Sequence, residues 1–312
     1  MKKNWANAMI TTALLCVNGF IFLYRNHGFD FIKPFSTTSN TACNAYCIKK
    51  WTSPNNYFTP TSLDSGHYLL QENLQIDTIM HSENKLLAIG AWLNSELSGM
   101  HGHKNDSVDA LPALQQFYCF KKNKTLNYDC GNFLTMYSFF CTAAGLPARH
   151  LQLIQITPGL SPDSHVAIEV YLKEYKKWVL TDAFQNHLLI KKNNVPLSAT
   201  EYLDNNLQPG NDRLIISKQI AGKLFSDTIT AMNDLQDTYF NKNYIIYFYK
   251  ETNPKIVYAW PNKIYRYLWP ASWYEIYAPQ QKNTNFLFRI KQLFMLALAG
   301  WLTFICFKNK KT

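Results

Sequence analysis

Hydrophobic spacing divides the chain into two apolar ends and a patterned body. Residues 5–24 and 286–307 are largely apolar, and each run is long enough to cross a bilayer as a helix. Between them, Phe133, Met136, Tyr137, Phe140, Cys141 and Ala144 recur at helical spacing, which predicts a helix with one buried face. Asp129 stands where an N-cap belongs, Gly145 where a left-handed C-terminal residue belongs, and Pro147 forbids continuation. Leu86, Leu87, Ile89, Trp92, Leu93 and Leu97 predict a core helix over 82–97, with further helices over 109–121 and 199–203.

The period then changes from helical to alternating. Residues 149–156 read as a strand. From His165 to Leu172, Val166, Ile168, Val170 and Leu172 point one way, and His165, Ala167, Glu169 and Tyr171 the other. Residues 178–182 read as the returning strand. A two-residue turn at Lys173 and Glu174 would set Asp182 opposite His165; a four-residue turn would set it opposite Ala167, on the same face and within diagonal reach. A one-residue slip would turn the aspartate to the wrong face.

These elements place a cysteine, a histidine and an aspartate in settings with chemical meaning. Cys130 falls in the first turn of its helix, where unpaired N–H groups and the helix dipole favour a thiolate, while the adjacent Asp129 opposes it. His165, oriented by Asp182 and facing Cys130, completes the nucleophile, base and orienting group of covalent acyl transfer. Tyr128-Asp129-Cys130-Gly131, Ala144-Gly145-Leu146-Pro147-Ala148-Arg149, His165-Val166-Ala167-Ile168-Glu169-Val170 and Trp178-Val179-Leu180-Thr181-Asp182 together resemble the transglutaminase-like superfamily, relatives of papain-type cysteine proteases. Asp129 departs from a position where a small residue is common, and Ala167 from one where Trp is frequent. The resemblance implies an α+β fold in which the cysteine helix packs on an antiparallel sheet, with Cys130, His165 and Asp182 as catalytic residues, and it calls for no cofactor or metal.

Composition adds the setting. With 312 residues, 47% of them hydrophobic and 17% charged, the chain can bury a sizeable core. The net charge of +10 resides partly in Lys2, Lys3, Lys308, Lys310 and Lys311 at the outer ends of the apolar runs. If both runs span, the positive-inside rule puts both termini in the cytoplasm and the body outside it, most simply in a bacterial periplasm at the inner membrane. The rivals are a cleaved signal peptide at the start and an interfacial helix at the end; no small-residue cleavage site follows Tyr24. No basic run, phosphate loop or nucleic-acid module is present, so the expected partners are the lipid bilayer and a protein or peptide substrate, cell-envelope polymers among them.

The expected organisation is an anchor at 5–24, a lead-in at 25–60, a catalytic domain at 61–206, an aromatic-rich accessory region at 207–285 and a membrane or interfacial helix at 286–307. Cys43, Cys47 and Cys119 have open pairing in an oxidising compartment, and Cys141 is expected as a core thiol. His101 and His103 lack a third ligand at suitable spacing, which favours a solvated loop over a metal site. Asn123 and Asn127 are candidate oxyanion donors, and Arg149 a structural ion-pair partner. The aromatics from Tyr244 to Tyr277 fit a packed core, a membrane-interface belt or a stacking surface. Two functions compete: a cysteine hydrolase or acyltransferase, and a non-catalytic envelope scaffold on the same fold.

Overall fold

The computed structural model describes residues 2–24, 48, 58–76, 81–97, 106–155, 163–207, 213–220, 223–229, 239–249, 259–262, 265, 274–279 and 286–309. In chain order the helices and strands are α1 (Lys2–Tyr24), α2 (Pro60–Leu74), α3 (Ser82–Glu96), α4 (Asp106–Asp109), α5 (Ala113–Lys122), α6 (Cys130–Ala143), β1 (Ala148–Gln155), β2 (Ser164–Leu172) and β3 (Lys177–Thr181). They continue with β4 (Leu189–Lys192), β5 (Val195–Pro196), α7 (Ala199–Leu207), β6 (Leu214–Ile220), β7 (Lys223–Ile229), β8 (Tyr244–Tyr249), β9 (Tyr274–Tyr277) and α8 (Phe286–Asn309). The α+β class that the resemblance implies is the one observed.

α6 begins and ends where its sequence dictates. The Asp129 carboxylate accepts the Asn132 N–H at 2.8 Å, and the Asn132 side chain accepts the Asp129 N–H at 3.2 Å, so each satisfies a donor the helix leaves open. At the other end Gly145 adopts φ +75°, which lets the N–H groups of Gly145 and Leu146 bond back to Thr142 and Cys141. Cys141 is fully buried, as its spacing predicts, and burial pushes its thiol well up from the ordinary range. The helix expected over 109–121 is divided: Pro112 (φ −58°, ψ 151°) is extended and precedes α5. Proline lacks the N–H and disfavours helical geometry in the residue before it.

Two antiparallel sheets result, ordered β3-β2-β1-β8-β9 and β5-β4-β6-β7. Ile168, Val170, Leu172 and Val179 on one face of the five-stranded sheet pack with Leu70, Ile89, Leu93, Phe117, Phe133 and Met136 from the helices. Leu151, Leu153, Trp178 and Leu180 on the other face pack with Tyr202 and Leu203 of α7 and with Ile190 and Ile216 of the second sheet. The boundary expected at 206/207 therefore does not separate structural units. β8 pairs with β1 and β6 with β4, because the edges left open by the first half of the chain are completed by strands from the second. Tyr244, Tyr247, Phe248 and Tyr277 are accordingly sheet core, whereas Trp260 and Tyr265 are exposed.

β1 and β2 are also tied by charge. Arg149 and Glu169 are cross-strand partners, and the Arg149 Nε donates to Glu169 Oε2 at 2.6 Å with both groups buried. The guanidinium lies over the Trp178 and Phe248 rings, at 4.8 and 4.3 Å from their centroids. The expected ion-pair role of Arg149 is thus a register pin.

The apolar ends fold as an antiparallel helix pair. Trp301 Nε1 donates to Thr11 Oγ1 at 2.9 Å, and Asn18 Nδ2 to the Phe294 carbonyl at 3.4 Å. The stretch from Arg289 to Lys308 in α8 is long and apolar enough to cross a membrane. The N-terminal anchor expected at 5–24 is the helix α1, whose apolar part, Asn7–Phe20, is shorter than that stretch. Cys43, Cys47, His101 and His103 lie outside the described residues; Cys119 is a half-buried free thiol.

The buried ion pair yields a stability prediction. Arg149→Met leaves the Glu169 carboxylate buried without its guanidinium and is expected to cost about 3–5 kcal/mol in thermal or denaturant unfolding of the detergent-solubilised chain. Adding Glu169→Gln, which removes the stranded charge but keeps an acceptor for the Ala199 N–H, is expected to recover most of that loss.

Candidate active site

The turn between β2 and β3 comprises residues 173–176, and Lys176 takes a positive φ of 50°. The register runs from Leu172↔Lys177 to Ile168↔Thr181, so one further step brings Asp182 level with Ala167. This is the four-residue alternative, and the diagonal reach suffices: His165 Nε2 and Asp182 Oδ2 are 2.6 Å apart. Asp182 is held by the chain that follows it. Its N–H and carbonyl exchange bonds with His187 at 2.8 and 2.9 Å, and its Oδ1 accepts the Gln185 N–H at 3.3 Å. Asn186, at φ 61°, closes this tight loop.

By strand parity His165 shares a side with Ala167 and Glu169, whereas Cys130 arrives with α6 from the opposite layer. The groups meet at the rim, where β2 begins, β3 ends and α6 starts. Cys130 lies against the His165 imidazole there, near enough to bias its protonation. Since Nε2 is engaged by Asp182, Nδ1 is the nitrogen left for the thiol. Cys130 is half-buried, and His165 is only 2% exposed. Burial by itself would lower the His165 pKa, but the hydrogen bond and charge of Asp182, with a further contribution from Cys130, raise it from 6.5 to about 10.

Aromatic rings complete the surroundings. Tyr239 stacks on the imidazole, with centroids 4.4 Å apart and planes 15° apart; Phe184 lies at 6.1 Å, tilted by 41°. Next to Cys130 is a small recess lined by Phe133, Leu134, Tyr137, Val166, Ile168 and Phe184 among others. At its base the Tyr137 hydroxyl and Thr181 Oγ1 are 3.0 Å apart. Asn123 caps α5 and accepts from Thr125, which is a turn role.

All three residues expected from the sequence are therefore brought together. Tyr239 was missed. It comes from a segment with no periodicity, and nothing local marks it as a neighbour of His165. Phe184, two residues past Asp182, could have been found by extending the returning strand.

Residues 74–183 match the model of the transglutaminase-like superfamily. The match starts at the last residue of α2 and ends just after Asp182, so the transglutaminase-like domain includes Cys130, His165 and Asp182 but not Tyr239. Among solved structures, a protein from Cytophaga hutchinsonii provisionally assigned to the cysteine proteases is similar at 21% identity and a TM-score of 0.33, over 45% of this chain and 43% of that one. A likeness of that extent carries no argument. No curated protein matches.

The raised imidazole predicts a pH dependence. A folded-state pKa of about 10 against 6.5 unfolded means that the stabilisation is complete below 6.5 and is lost as pH rises toward 10. Unfolding free energy is therefore expected to fall over that window. Asp182→Asn is expected to bring the His165 midpoint, followed by NMR, back toward 6.5 and to flatten the slope; an unchanged midpoint would refute the assignment.

Proposed function

We propose that the chain is a membrane-anchored cysteine enzyme that cleaves or transfers the acyl group of an amide or peptide bond. The observation that carries the reading is one imidazole, His165, bonded to the Asp182 carboxylate at 2.6 Å and set against Cys130 at a helix N-terminus. Cys130 Sγ attacks the carbonyl carbon with its proton already held by the His165 imidazole. The N–H groups of Cys130 and Gly131, in the first turn of their helix and without an acceptor within it, would donate to the oxyanion. As the C–N bond breaks, His165 returns the proton to the leaving amine and a thioester remains. Water, deprotonated by the same imidazole, releases an acid; an amine in its place yields a new amide. Asp182 keeps the imidazole in the required tautomer throughout. The similarity of residues 74–183 to the transglutaminase-like superfamily supports this chemistry.

The membrane part of the proposal rests on α8 and on its pairing with α1. Apolar side chains such as Leu293, Leu296, Phe304 and Phe307 face outward from α8, an arrangement suited to lipid. With α1 crossing beside α8 and lysines at both outer ends, the termini would sit in the cytoplasm of a bacterial inner membrane and the transglutaminase-like domain in the periplasm.

Alkylation of the reduced, full-length protein by iodoacetamide, mapped by mass spectrometry, tests the chemistry. Cys130 is expected to react and Cys141 to stay protected, with His165→Ala slowing Cys130 on the order of tenfold or more. A Cys130 rate indifferent to His165→Ala would sink the nucleophile assignment. For topology, a cysteine at the exposed Tyr68 position is expected to react with an impermeant maleimide in spheroplasts; labelling only after lysis would reverse the orientation.

A further inference from the structure

Tyr239 reaches the imidazole from outside the matched residues 74–183, and four contacts fix where it stands. Phe240, next in sequence, is buried against Tyr202 of α7 at 5.0 Å between ring centroids, and its carbonyl accepts from Asn206 Nδ2 at 2.9 Å. Tyr244 meets Tyr239 edge-on at 5.6 Å and donates its hydroxyl to Asp163 Oδ2 at 2.9 Å. Asp163 lies two residues before His165. The segment entering β8 is thus tied to α7 on one side and to the start of β2 on the other, with Tyr239 held between as a plate against the imidazole.

We propose that Tyr239 is a positioning residue for His165: its ring fixes the plane of the imidazole and shields the His165–Asp182 hydrogen bond from water. This rests on the assignment of Cys130 and His165 above, and it implies that the transglutaminase-like domain needs the later part of the chain to be active. Stacking at 4.4 Å and 15° leaves no room for water between the rings. A protonated imidazole against a phenol face also gains a cation–π attraction. In a dry setting the bond to Asp182 is stronger than in water and its proton exchanges slowly. Phe184 tilts toward the ring at 6.1 Å and cannot substitute for the stack. The titratable groups meeting the imidazole are Asp182 from the end of β3, Cys130 from α6 and Tyr239 itself, with Asp163 one contact further through Tyr244.

The test uses full-length protein in detergent with ¹⁵N-labelled histidine. The strongly downfield His165 Nε2–H resonance is expected in the parent and in Tyr239→Phe, which retains the ring. In Tyr239→Leu it is expected to be lost to exchange with water, and Cys130 alkylation is expected to slow about fivefold, the size of one aromatic–cation contact. Tyr239→Met provides the same comparison if the leucine variant does not fold. A parent without that resonance, or a leucine or methionine variant whose resonance persists at the parent's exchange rate, overturns the proposal. The two readings fail separately. Cys130 alkylation indifferent to His165→Ala removes the nucleophile, whereas the resonance reports on Tyr239 whatever the cysteine does.

Discussion

The buried carboxylate of Glu169 is the point from which the rest of the site is suspended. One oxygen takes the Arg149 guanidinium across the β1–β2 pair, and the other accepts the Ala199 N–H at 2.6 Å where α7 begins. Both oxygens are used, so the charge is buried without being stranded. A one-residue slip of β2 would move the carboxylate to the other face and leave two buried charges apart. The strand that carries His165 is thereby held in one register, and the helix that anchors Phe240 and Tyr239 is held to the same carboxylate. Geometry at the imidazole follows from a contact at the middle of the sheet.

The site itself lies where three element ends converge, which suits chemistry on a substrate. A helix start offers N–H donors, a strand start carries the base, and a strand end carries its carboxylate, while the two layers of core stay closed on either side. Each end is fixed by local bonds: a capping box at Asp129 and Asn132, and a tight loop from Asp182 to His187. Such rims can be reached by a substrate without opening the core.

The second half of the chain is part of the same body and not an appendage. β8 and β9 extend the five-stranded sheet, β6 and β7 complete the smaller one, and a tyrosine just before β8 covers the imidazole. The terminal helices pair with each other through Trp301 and Thr11, and among the described residues their outward apolar side chains distinguish them from the body. A transglutaminase-like domain defined by residues 74–183 alone would present an open β1 edge and an uncovered histidine.

Local signals carried much of this in the sequence. The buried stripe of α6, its Asp129 cap and its Gly145 terminus could be read directly, because helix faces and caps depend on residues within a few positions of one another. Alternation gave β2, and parity put His165 and Asp182 on one side under either turn length. The turn length was not readable, since Lys173 to Lys176 suit two registers and only the packing of β3 in the folded sheet selects one. Pro112 was legible as a break, yet the apolar residues around it masked the split between α4 and α5. The pairing of β8 with β1 and the meeting of Tyr239 with His165 were settled by tertiary structure. Such contacts join residues far apart in the chain, and no periodicity records which open edge or bare ring a distant segment will cover.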